Sequence, residues 1–175
     1  MKSVTERVYL TDFILACFAY CLFVGSDSIV KYLGSDYSIV QIIFVNSWFA
    51  LIPIVLYTQT LNGWRKLKKA NFTVHFFRAL TMALALFFGY TGFYRLPMVT
   101  MYSIVFLIPL MITIGSVFFL GEVVRWKRFT AILIGFIGAI ISINPFGTEY
   151  DNYIFLALFC PIFASASYLI VRKYG

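Results

Sequence analysis

Apolar runs of about twenty residues with few or no charges, separated by short polar or charged connections, recur along the whole chain. The clearest, Met98 to Leu120, contains no charged residue, and roughly 20 apolar residues at about 1.5 Å each span the hydrocarbon core of a bilayer. The pattern predicts six membrane helices, at about Leu10–Leu33, Ser38–Thr58, Thr73–Tyr94, Met98–Leu120, Phe129–Ile143 and Tyr153–Val171. Gly34-Ser35-Asp36-Tyr37 closes the first two into a tight hairpin, and Tyr94-Arg95-Leu96-Pro97-Met98 joins the third to the fourth. Asn144-Pro145-Phe146-Gly147 ends the fifth, because proline supplies no backbone N–H and glycine leaves helical geometry freely. Unbroken runs containing Gly and Ala exclude the alternating ten-residue segments of a β-barrel. The expected fold is an all-α membrane protein with six transmembrane helices.

Composition turns that pattern into a statement about solvent. With 62% hydrophobic and 12% charged residues among 175, the chain cannot coat a soluble globule with polar groups, so its partner is the lipid bilayer. A net charge of +7 would suggest nucleic acid in a soluble protein. Here the basic residues lie in connections, where they set topology, and nucleic acid is excluded as a partner. With the N-terminus cytoplasmic, twelve of the fourteen Lys and Arg fall on the inner side, among them Arg65, Lys66, Lys68, Lys69, Arg78, Arg125, Lys127, Arg128, Arg172 and Lys173; Lys31 and Arg95 fall outside. Such a bias predicts one orientation, not insertion both ways up. The first run is too long for a signal peptide and lacks a small-residue cleavage site, so it is expected to be a retained helix.

The same inventory restricts the chemistry. His75 is the single histidine, and Cys17, Cys21 and Cys160 lie inside apolar runs, so neither a metal cage nor a serine–histidine triad can be assembled. No nucleotide-binding loop is present, and Asp12 and Asp27 sit near opposite ends of one helix, too far apart for a catalytic dyad. The chain is read as no enzyme and as needing no cofactor.

Polar residues inside the apolar runs are therefore the candidates for function. Asp27 lies about two turns from the end of the first helix, and a carboxylate inside a membrane is costly enough to suggest a purpose. Two readings stay open: an ion pair with Lys31 four residues on, or a proton-coupling or cation-binding site. Tyr102, Phe106, Pro109 and Thr113 share one face of the fourth helix, and Phe87, Tyr90 and Tyr94 one face of the third. Each stripe is either packing or the wall of a cavity for a planar or amphipathic ligand. Asn46 and Gln41 are weaker candidates, for a cavity or for interhelical hydrogen bonds. Glu122 opposes the dipole of the helix it ends, and Arg78 at the start of the antiparallel neighbour is its expected partner in a structural or gating pair. Ala131, Gly135, Gly138, Ala139 and Ser142 form a small-residue face expected to pack closely. Residues 65–69 are read as a topology determinant that also contacts anionic lipid.

Displacing the chain by 141 residues aligns the first and sixth helices, with Ser26 on Ser167, Ile29-Val30 on Ile170-Val171, Lys31 on Arg172 and Gly34 on Gly175. The sixth helix is five on from the first, so the two run in opposite directions, as in inverted-repeat transporters.

Several segments in order then resemble one family: Ser26 to Gly34 at the end of the first helix, Phe77-Arg78-Ala79-Leu80 starting the third, Leu96-Pro97 through Ile108-Pro109-Leu110 to Leu120-Gly121-Glu122 in the fourth, and Gly135-Phe136-Ile137-Gly138 with Asn144-Pro145 in the fifth. Together they resemble the EamA-type transporters of the drug/metabolite transporter superfamily, and Asp27 to Gly34 is most similar to the S-adenosylmethionine uptake branch. Asn46 stands where that family commonly has an arginine, so no anchor for an anionic substrate is carried over. The resemblance implies a first five-helix repeat over residues 1–150 and the first helix of a second over 151–175, the chain being a fragment, a truncated product or one part of a split transporter. It implies secondary transport of a small organic metabolite across an inner membrane, with H+ as a possible coupling ion. Asp27, Lys31, Asn46, Tyr90, Tyr94, Tyr102, Phe106 and Pro109 would bind substrate, and self-association or a complementary half would complete the cavity. The rival expectation is a membrane scaffold or accessory fragment that transports nothing alone.

Overall fold

The computed structural model describes residues 2–60, 71–123, 126–143 and 152–174. They form eight helical segments: α1 Lys2–Leu33, α2 Ile39–Thr60, α3 Phe72–Arg95, α4 Met98–Val105, α5 Leu107–Leu120, α6 Trp126–Ile143, α7 Tyr153–Ala157 and α8 Phe159–Tyr174. Taking α4 with α5 and α7 with α8 as single spans, five helices are long and apolar enough to cross a membrane, and α6 contributes a shorter apolar stretch at Phe129–Gly138. The all-α membrane architecture expected from the sequence is the one observed. Residues 61–70, 124–125 and 144–151, which hold the basic cluster at 65–69, Arg125 and the Asn144–Gly147 stop, lie outside the described residues.

Local chemistry explains the boundaries. α1 begins eight residues earlier than the apolar pattern predicts, because residues 2–10 contain no Gly or Pro to stop a helix, while its membrane-length part is Thr11–Leu33. Ser38 and Gln41 form a capping box at the start of α2: the Ser38 amide donates to Gln41 Oε1 at 3.1 Å and the Gln41 amide to Ser38 Oγ at 3.3 Å. Gln41 is thus occupied at a helix end. Asn71 caps α3 by accepting the Thr73 amide at 3.2 Å. α3 stops at Arg95 because Leu96 precedes a proline and is extended, with φ −98° and ψ 157°.

Two spans are broken at the same offset from a proline. Pro109 cannot donate to Val105, and Pro161 cannot donate to Ala157. The hydrogen-bond ladder is interrupted at Phe106 and Leu158, three residues before each proline, while the backbone there stays right-handed.

α3 is the hub, packing against α1, α2, α4, α7 and most extensively α8. Its small residues Ala85, Gly89 and Gly92 meet Ala157, Cys160 and Ala164 of the last span, and this allows close approach where lipid supplies no hydrophobic drive between helices. A Cβ at Gly89 would lie 3.2 Å from Cys160 Sγ, and one at Gly92 would lie 3.2 Å from Ala157 Cβ. Phe93, Leu96, Met101, Ile104, Ala157 and Cys160 make the core. Phe88 stacks beside it on Phe163 at 5.7 Å between ring centroids.

Two packing expectations are corrected. α1 and α2 share a short turn but not a tight hairpin, since they diverge around a cleft of about 630 Å³. The facing side chains, such as Leu22, Ile29, Val45 and Phe49, are large, and Gly25 has no atom within 4 Å of a Cβ placed there. The small-residue face of the fifth predicted helix is also open: nothing lies within 4 Å of a Cβ at Gly135 or Gly138. α6 nonetheless packs against α4 and α5.

Candidate functional site

Where α1, α2, α3 and α8 converge on the α4–α5 break, a cavity of about 550 Å³ opens, with Asp27, Asn46, Tyr90, Phe93, Cys160 and Tyr168 on its wall. Asp27 is half-buried, and its Oδ2 accepts the Tyr102 hydroxyl at 2.9 Å. Tyr102 meets Phe93 edge to face at 5.2 Å. Across the cavity Asn46 Nδ2 donates to the Tyr90 hydroxyl at 2.8 Å, and this ties α2 to α3. The site is therefore one carboxylate among aromatic rings with a few hydroxyl and amide groups.

The expected ion pair between Asp27 and Lys31 is not made. Lys31 Nζ donates instead to the Leu96 carbonyl at 2.7 Å and the Phe93 carbonyl at 3.5 Å. These groups belong to the last turn of α3, where carbonyls lose their helical partners and the dipole favours a cation. A half-buried ammonium on two such acceptors is held better than in a surface pair, since charge-assisted hydrogen bonds contribute about 1.5–3 kcal/mol. Asp27 is left facing the cavity with no basic group within salt-bridge reach among the described residues.

The two aromatic stripes divide. Tyr90 is buried, whereas Tyr94 packs its ring on Gly34 at the α1–α2 turn, beneath the Arg95 guanidinium at 4.8 Å. Tyr94 is thus a turn-packing residue away from the cavity. On the fourth span burial divides the residues that spacing groups together, although Phe106 keeps right-handed geometry at φ −65° and ψ −11°. Tyr102 faces inward, Phe106 is 70% exposed, Pro109 is exposed and Thr113 is buried, donating its hydroxyl to the Pro109 carbonyl at 2.8 Å. Phe106 and Pro109 are thus on the exposed side of the described bundle, and the proline's local effect is the helical hydrogen bond it cannot make.

The partner of Glu122 is Arg172, at 2.9 Å, in place of Arg78. Gly121, in the left-handed region at φ 69°, turns the chain back so that the Glu122 amide donates to the Ser116 carbonyl at 3.3 Å. That turn points Glu122 at α8. Arg78 takes part through its backbone, whose carbonyl accepts from Ser167 Oγ at 3.3 Å.

Spacing did not single out Cys160 and Tyr168 as cavity wall, nor Ala85 and Gly89 as its floor. The available signal was the run of small residues at helical spacing, Ala85, Gly89 and Gly92, which the aromatic positions of the same helix obscured.

A model of an EamA-like transporter family matches residues 11–144. The chain is 31% identical over 157 residues to an "S-adenosylmethionine uptake transporter" of Rickettsia conorii, covering 86% of this chain and 51% of that protein. It is 33% identical over 134 residues to the protein of the same name in Rickettsia bellii, covering 73% and 43%. A "Riboflavin transporter" of Vibrio cholerae is 25% identical over 150 residues, covering 84% and 50%. The chain thus spans about half the length of the curated relatives it matches. No solved structure is a significant match.

Proposed function

The chain belongs to the EamA-like transporter family, and from that premise we propose that it supplies the ligand-binding half of a secondary transporter for a small organic metabolite. The supporting observation is Asp27, a carboxylate on a membrane-embedded cavity with no basic partner in reach among the described residues. Such a group is poised for a ligand that brings its own positive charge, with Tyr90 and Phe93 available for stacking. A sulfonium or amino-acid-like compound such as S-adenosylmethionine has that chemistry, in keeping with the names of the Rickettsia relatives. Drive comes from exchange or an ion gradient, H+ at Asp27 being one route. The protein sits in a bacterial-type inner membrane with its N-terminus inside, residues 151–175 open a second, inverted repeat, and a complementary half or a second copy supplies the opposing wall.

Uptake and binding of S-adenosylmethionine in proteoliposomes, by this chain alone and beside a ten-helix relative, test the reading. Asp27→Asn should weaken binding at least about tenfold, since a charge-assisted hydrogen bond is worth ~1.5–3 kcal/mol and 1.4 kcal/mol is a factor of ten. Binding indifferent to Asp27 would sink the cationic assignment. Riboflavin, planar but uncharged, is the control whose binding should not depend on that charge. A second reading, a non-transporting scaffold that needs a partner, draws support from the open face at Gly135 and Gly138. Ligand binding by the chain alone decides against it.

A further inference from the structure

The two basic residues that align when the chain is displaced by 141 positions, Lys31 and Arg172, do the same mechanical job at opposite ends of α3. Lys31, at the end of α1, holds the C-terminal carbonyls Phe93 and Leu96 of α3. Arg172, at the end of α8, holds Glu122, the residue that follows the C-terminal turn of α5. The Ser167 hydroxyl on the Arg78 carbonyl places that second contact beside the first turns of α3, so the two clasps lie on the two sides of the bundle. Between them is the cavity with Asp27 and Cys160. Each clasp ties the first helix of one repeat to the C-terminal end of another helix, and both are closed in this structure.

We propose that Lys31 and Arg172 are a matched pair of gate clasps, each sealing the Asp27 cavity from one side of the membrane; this rests on the transport reading above. Neither residue lines the cavity. Both act by positioning helix ends. The two differ in strength for a physical reason: Lys31 is half-buried on two main-chain oxygens, whereas the Arg172–Glu122 side chains are 44% and 34% exposed and lie in a more screened setting. The Arg172 side is the one that opens more readily.

Cys160 on the cavity wall is a built-in reporter. In the full chain carrying Cys17→Ser and Cys21→Ser, a membrane-impermeant maleimide is applied to right-side-out and to inside-out vesicles. Cys160→Ser identifies background labelling. Lys31→Met should raise Cys160 labelling several-fold only from the side where α1 ends, and Arg172→Met only from the side where α5 ends. Lys31→Arg should stay near the parent rate, and the charge swap Glu122→Arg with Arg172→Glu should return labelling toward it, which misfolded protein would not do. A rise from both sides, from the wrong side or from neither overturns the clasp assignment. Side-selective labelling in a chain that binds and transports no metabolite would leave the clasps standing and remove the transport reading instead.

Discussion

At the scale of single residues, hydrogen-bond satisfaction decides which polar groups are committed and which are available. Lys31 is committed to α3 and Gln41 to the cap of α2, while Asp27 keeps one carboxylate oxygen on Tyr102 and faces the cavity. The Asn46–Tyr90 bond is a polar tie between α2 and α3. Interhelical hydrogen bonds in membranes average about 0.6 kcal/mol, so Tyr90→Phe should lower thermal stability in detergent only slightly. Its larger effect should be on ligand binding, since Asn46 would then face the cavity without its partner; a thermal-shift series against ligand concentration separates the two. The presence of a carboxylate at Asp27 and an amide at Asn46 was legible from sequence, because intramembrane polar residues stand out against an apolar background. Their partners were not. Lys31 sits one helical turn from Asp27, and only the position of the α3 terminus, set by Leu96 and Pro97 more than sixty residues away, diverts it.

At the scale of elements, spans were readable because length and charge-free composition suffice, whereas faces were not. Spacing groups Tyr102, Phe106, Pro109 and Thr113 on one side, but burial separates them, with Tyr102 half-buried, Thr113 buried, and Phe106 and Pro109 exposed. In a background with Trp48, Trp64 and Trp126 replaced by Phe, Phe106→Trp should be strongly quenched by brominated lipid, whereas Tyr102→Trp should be shielded. Equal quenching would show that the two positions are equally exposed to lipid. The small-residue faces make a matching contrast. Gly89→Val should destabilise by about 1–3 kcal/mol through overpacking, because Cys160 Sγ stands 3.2 Å from the added Cβ. Gly138→Val meets nothing within 4 Å and should leave the melting temperature within a degree or so of the parent. Both stripes look alike in sequence; only the partner helix tells them apart.

At the scale of the whole molecule, the bundle is organised around α3, with α7 and α8 packed on one flank and α1 and α2 leaning on another around the 550 Å³ cavity. Large apolar side chains such as Phe118, Tyr20 and Tyr32 are more than 70% exposed, as expected of a surface that faces lipid. The ligand-stabilised form should therefore be visible globally: saturating ligand at about 100 times its Kd raises stability by about 2.7 kcal/mol, and at the same concentration Asp27→Asn should cut that increment to about 1.4 kcal/mol or less while leaving the unliganded melting temperature close to the parent's. The hub itself was hidden in the sequence, since the hydrophobic pattern of α3 is no stronger than that of its neighbours and its distinction is the number of helices its glycines admit.

The Ala85–Gly89–Gly92 crossing has a consequence for how the protein is made. Its mates Ala157, Cys160 and Ala164 are translated more than sixty residues after it, so a growing chain that has inserted its first four spans carries an unfilled groove along α3. Ribosome-bound intermediates released before Pro161 should be degraded faster or held by membrane chaperones. Those released after Tyr174 should acquire protease resistance in a single step, timed by the emergence of α8.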